Sequence, residues 1–83
     1  MNKRLGFIGI IIHNRKVNAP KVNQLLTEYG NLIVGRMGMP YDKKDCSVIS
    51  LIVDSDTDSL GMLTGKLGQI EGISVKSALS KEQ

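Results

Sequence analysis

The stretch Leu5-Gly-Phe-Ile-Gly-Ile-Ile-Ile-His13 decides the fold. It is β-branched and nearly continuously apolar, the pattern of a strand covered on both faces. Met1-Asn2-Lys3-Arg4 before it imitates the basic head of a signal peptide. The apolar run is too short and too broken to span a bilayer, and no small-residue cleavage site follows. A buried strand is therefore the reading, and no membrane partner is expected.

Outward from that strand, Asn14 to Asn18 reads as a polar loop. Asn18 or Ala19 can cap a helix that tolerates Pro20 in its first turn. Val22, Leu25, Leu26 and Tyr29 fall on one helical face, and Gly30 suits a left-handed stop. Leu32 to Met37 is a second strand, Gly38 to Asp45 a turn-rich connection, and Cys46 to Val53 a third strand. Asp54, Asp56 and Asp58 offer caps for a second helix whose stripe is Leu60, Leu63, Thr64 and Leu67. Gly61 and Gly65 inside it cost about 1 kcal/mol each relative to alanine, a cost that close backbone packing would offset. Gly68 ends this helix, Ile73 to Leu79 is a fourth strand, and Ser80 to Gln83 is a polar tail.

The order β-α-β-β-α-β is that of a ferredoxin-like α+β sandwich occupying residues 1–83 as one domain. Right-handed crossovers give an antiparallel sheet of order 4-1-3-2 with both helices on one face. Alternation then turns Ile8, Ile10, Ile12, Ile49, Leu51, Val53, Ile73 and Val75 toward the helices. Phe7, Gly9, Ile11, His13, Ile33, Gly35, Met37, Val48, Ser50 and Ile52 turn the other way. A helix-free face that apolar is an interface pattern, with Phe7, Gly9, Ile11, Ile33, Val48, Ser50 and Ile52 as its candidate residues.

The common staples of a small domain are missing. Cys46 is the one cysteine and His13 the one histidine of the 83 residues, so neither an internal disulfide nor a self-contained four-ligand zinc site can form. A homo-oligomer, dimer or tetramer, is the staple that remains. A lone cysteine suits a cytoplasmic setting. The net charge of +3 is mild and its basic residues are scattered, with one Phe, two Tyr and no Trp to stack on bases.

Three constellations carry candidate chemistry. His13 and Cys46 share the outward parity at neighbouring strand ends. Two such pairs across a dimer would form a His2Cys2 metal set; the plain alternative is a polar strand end beside a small thiol. Gly35-Arg-Met-Gly-Met-Pro-Tyr41 is the most distinctive stretch, either lining a pocket beside the Asn14 loop or turning into a hairpin. Together, the segments His13 to Lys16 and Arg36 to Tyr41, with Cys46, place a candidate ligand site at one sheet end. Its residues are His13, Asn14, Arg15, Arg36, Met37, Gly38 and Tyr41, and a small anionic effector is the preferred ligand class.

Other motifs dissolve. Gly61 to Gly68 lacks the Gly-Lys-Ser/Thr of a phosphate loop, since Leu67 follows Lys66. The alternating aspartates lack the rest of a calcium loop and serve better as caps. No nucleophile motif accompanies His13, so no enzyme is expected and no cofactor is named.

With these pieces in place, the chain resembles the ACT-like family of iron-only hydrogenase system regulators. The resemblance is carried by Ile8-Gly9-Ile10-Ile11, Lys21-Val22-Asn23 through Glu28-Tyr29-Gly30, and Gly35 through Tyr41. Val48-Ile49-Ser50-Leu51, Leu63 through Gly68 and Gly72 through Ala78 complete it. It implies a fold akin to ACT domains and to the C-terminal domain of the nickel-responsive repressor, whose members assemble through their sheets and often bind effectors at subunit contacts. The chain departs from the repressor in lacking its DNA-binding segment and its metal-binding histidines. A regulatory, effector-binding module is the leading expectation. The alternatives are a structural adaptor without a small ligand and a small metal-binding protein using His13 and Cys46.

Both expected helices use their apolar stripes on the sheet, leaving no recognition helix. The purified chain is therefore expected to show no sequence-selective retention of a promoter fragment at physiological salt. Weak binding that collapses as salt is raised is compatible with a charge of +3; selective binding is not.

Overall fold

In the computed structural model, which describes residues 2–81, the first strand β1 (Arg4–His13) runs through the middle of the sheet. The chain continues through helix α1 (Arg15–Glu28), a 3-10 turn (Gly30–Leu32), strand β2 (Ile33–Tyr41) and a second 3-10 turn (Asp42–Lys44). Strand β3 (Cys46–Ser55), helix α2 (Thr57–Gly68) and strand β4 (Ile73–Leu79) follow. Glu82 and Gln83 of the expected polar tail lie outside the described residues.

The sheet order is β2-β3-β1-β4, and all three pairings are antiparallel. The order expected from right-handed crossovers therefore holds. β1 pairs with β3 in unbroken register from Arg4↔Ser55 to His13↔Cys46, and with β4 from Gly6↔Leu79 to Ile12↔Ile73.

The core lies between one sheet face and the helices. Ile8, Ile10 and Ile12 of β1 and Ile49, Leu51 and Val53 of β3 are buried against Val22 and Leu26 of α1 and Leu60, Leu63 and Leu67 of α2. These are the inward strand positions and the two helical stripes read from the sequence. Ile73 and Val75 pack at the margin of the same cluster. Among the described residues, no helix is long and apolar enough to cross a membrane.

Several expectations need correction. α1 begins at Arg15, so the supposed polar loop from Asn14 to Asn18 is mostly helix. One left-handed residue, Asn14 (φ 52°, ψ 59°), makes the whole turn from β1 into α1. Pro20 consequently sits inside the helix rather than in its first turn, on the exposed side. Gly30 does not adopt a positive φ, because a 3-10 turn carries the chain out of α1 instead. No neighbouring atom lies within 4 Å of the space above Gly61 or Gly65, so packing within the chain does not offset their helix cost.

β2 also runs further than expected. It extends to Tyr41, absorbing the first half of the supposed connection, and only the Asp42–Lys44 turn with left-handed Asp45 (φ 49°) separates it from β3. A register irregularity between Ile33 and Gly35 shifts its phase. Ile33 pairs with inward Val53 and packs against the core, so it faces the helices and leaves the candidate interface. An extra residue in one strand moves every later side chain to the opposite face.

α2 starts on a true cap. Asp56 accepts a hydrogen bond from the Ser59 amide at 3.3 Å. Interaction with the Ser59 side chain first, and with its amide as well, holds the Asp56 carboxyl below its ordinary range. A depressed carboxyl stabilises the fold above its unfolded pKa and loses that effect as pH falls through its folded pKa. Asp56→Ala should therefore lower the melting temperature at neutral pH, and the difference from the parent should shrink in strong acid. Paired thermal melts across that pH range check it.

Candidate functional site

Where β1 stops, three register partners stand in one row on the helix-free face. Tyr41 pairs with Cys46, and Cys46 pairs with His13. Side chains of directly opposed residues lie about 5 Å apart in such a row. Cys46 is a free, buried thiol between its two larger neighbours, whereas His13 is exposed. Among the described residues, no three or more His, Cys, Asp or Glu side chains gather as a metal site.

The turn beyond His13 opens the N-terminus of α1 directly beside this row. Asparagine tolerates the left-handed conformation that Asn14 needs. Its side chain makes no cap; its carbonyl accepts from the amides of Val17 and Asn18, each at 3.1 Å. The preceding amides, those of Arg15 and Lys16, stand at the open helix end, the positive pole of its dipole. The first turn contains these two basic residues and no acid. Countercharge comes from the next turn over, where Asp42 Oδ1 lies 3.6 Å from Arg15 Nη2. Both partners are solvated, so the pair adds little stability.

Beneath the turn, three segments are fastened together. Asn18 is buried and its Nδ2 donates to the His13 carbonyl at 2.7 Å. The His13 amide donates to the Gly72 carbonyl at 2.8 Å. Gly72 has φ +87°, and a Cβ there would fall 2.7 Å from Asn18 Nδ2. Only glycine meets both demands without strain.

The structure thus gathers part of the predicted ligand set and disperses the rest. His13, Asn14 and Arg15 meet at the turn, and Tyr41 closes the same sheet end. Met37 shares their face two outward rows further along β2, opposite Ser50. Arg36 and Gly38 do not join them. Each pairs with an inward residue of β3, Leu51 and Ile49 respectively, so both lie on the helix side. There Arg36 Nη2 donates to Asn23 Oδ1 of α1 at 2.5 Å. The sequence reading missed Asn18, Gly72 and Asp42. Asn18 is a polar residue on the buried side of a helix, a signal in itself, but its partner became visible only with the turn.

Residues 4–77 match the TM1266-like family, described as "Iron-only hydrogenase system regulator, putative". The structure of uncharacterized protein TM1266 from Thermotoga maritima is 35% identical, with a TM-score of 0.92 over 96% of this chain and 100% of that one. The ACT domain of GTP pyrophosphokinase from Chlorobium tepidum is 18% identical, with a TM-score of 0.79 over 93% and 100%. CPII from Thiomonas intermedia K12, a nitrogen regulatory PII-like protein, is 15% identical, with a TM-score of 0.55 over 92% and 90% in its apo form. These last two likenesses are of fold. No curated protein matches.

Gly72→Ala should lower stability by about 1–3 kcal/mol, through left-handed strain and displacement of the Asn18 amide. Gly9→Ala, where an added Cβ meets nothing within 4 Å, should fold with near-parental stability apart from a small backbone effect. Urea unfolding of the two variants side by side distinguishes them.

Proposed function

The chain belongs to the TM1266-like family of iron-only hydrogenase system regulators, and on that premise we propose that it is a cytoplasmic regulatory module that binds a small anionic effector where β1 turns into α1. The observation that carries this reading is the uncapped α1 N-terminus with Arg15 and Lys16 in its first turn and exposed His13 immediately before it. Helix amides, dipole and two fixed cations all favour an anion at the same place. The solvated Asp42 carboxylate is the only acid paired there among the described residues, and a weak surface pair yields readily to a better ligand.

Tyr41, exposed at the adjoining sheet end, offers an aromatic ring beside that charge, which favours an effector with a compact apolar or aromatic part. The buried free thiol of Cys46 suits a reducing compartment. The proposed activity is binding rather than catalysis, in keeping with a family of regulators.

Thermal shift with a panel of anionic metabolites tests the proposal. It begins with ADP, AMP and bicarbonate, which one structure of the PII-like fold relative CPII contains. A stabilising ligand should lose its effect in Arg15→Ala or His13→Ala and keep it in Arg36→Ala, whose guanidinium lies on the other side of the sheet. Loss in Arg36→Ala alone moves the site to the helix side. The absence of any stabilising anion across a broad panel rejects the effector reading and favours an adaptor.

A further inference from the structure

Strand β2 lies at an edge of the sheet. Among the described residues its one strand partner is β3, so its other side presents backbone groups that no strand pairs. Pro40 tells which residues face that way. A proline inside a paired strand turns its nitrogen away from the ladder, because it has no N–H to donate. Pro40 pairs with Ser47, and residues two apart in a strand share an orientation. Gly38 and Arg36 therefore also turn their backbone N–H and C=O groups to the open edge. The stretch is bounded by Pro40 at one end and by the irregularity between Ile33 and Gly35 at the other.

The two faces of this edge differ in chemistry. On the helix side stands exposed Arg36, its guanidinium donating to Asn23 of α1. Gly38 beside it carries no side chain to screen it. On the other face Met37 and Met39 are 70% and 54% exposed. Charge is concentrated here as well. From Arg15 to Lys44, through α1, β2 and the turn after it, six bases stand against two acids, Glu28 and Asp42, a net +4 in a chain of +3. The opposite edge, β4, belongs to the remainder of the chain, whose net charge is −1.

We propose that the β2 edge receives an extended segment of a different protein as an added strand, one that alternates acidic and apolar side chains. Strand addition supplies main-chain hydrogen bonds, and the alternation sorts the side chains to the two faces. Acids on the helix side meet Arg36, and apolar residues on the outer face meet Met37 and Met39. A second copy is a poorer occupant. Two β2 edges side by side bring like-charged surfaces together, and Pro40 removes a donor from each. The inference goes beyond the effector reading and does not need it, since His13, Asn14 and Arg15 take no part.

A fluorescein-labelled heptapeptide alternating glutamate and valine, with both ends capped, tests it. Its anisotropy should rise on titration with the parent chain up to about 1 mM, and a lysine–valine peptide should bind at least about tenfold more weakly. Gly38→Pro removes an outward donor and no bond to β3. An added Cβ there meets Ile49 at 3.8 Å and the Val48 carbonyl at 3.9 Å, ordinary contacts, so the fold should persist by circular dichroism. This variant should weaken the glutamate peptide at least about tenfold, through one lost hydrogen bond and a blocked edge. Should the proline variant unfold, Arg36→Glu replaces it, and it should lose the glutamate peptide and gain the lysine one. A parent that binds neither peptide overturns the proposal. So does binding indifferent to peptide charge or to both substitutions. A parent dimer that Gly38→Pro splits while no peptide binds also overturns it, giving the edge to a second copy.

Discussion

The structure depends on the register of β1 against β3. Ten consecutive pairs, Arg4↔Ser55 through His13↔Cys46, lock the two central strands. Their inward side chains, Ile8, Ile10, Ile12, Ile49, Leu51 and Val53, are all buried by the helices. A slip of β1 by one residue would send Ile8, Ile10 and Ile12 to the helix-free face and bring Phe7, Gly9 and Ile11 into the core. At roughly 1.5–3 kcal/mol for each fully buried side chain, such a slip is prohibitive for a small domain.

The same register places everything on the opposite face. It opposes Gly9 to Ser50 and Ile11 to Val48, and it seats His13 beside Cys46. The outer face is thus a consequence of the core, decided by the core's burial energy. β2 is held less firmly. It lies at the sheet edge, its phase shifts near Ile33, and its later inward positions, Arg36, Gly38 and Pro40, are exposed. That is why an arginine can occupy the helix side there, reaching Asn23 instead of being buried.

The Tyr41–Cys46–His13 row belongs both to the outer face and to the sheet end where α1 opens. The two regions share a border but have different chemistry. The outer face is apolar across β2, β3 and β1. The sheet end is polar and cationic, with open helix amides. Asn18 and Gly72 brace that end from below, coupling the β1–α1 turn to the entry into β4.

The sequence alone determined the element order, the buried stripes and the inward alternation of β1 and β3. These are periodic, local properties: apolar spacing reports a helix or strand face before any long-range contact is known. It also carried the family resemblance, spread along most of the chain. The tertiary structure decided where local pattern is silent. The extent of β2 depended on its pairing with β3, since glycine and proline within Gly35 to Tyr41 read locally as a turn. The face of Ile33 depended on one irregularity in that pairing. The helix start at Arg15 depended on a left-handed Asn14, and the roles of Asn18 and Gly72 depended on residues distant in the chain meeting at His13. Register and backbone hand are set between segments, so no window of sequence contains them.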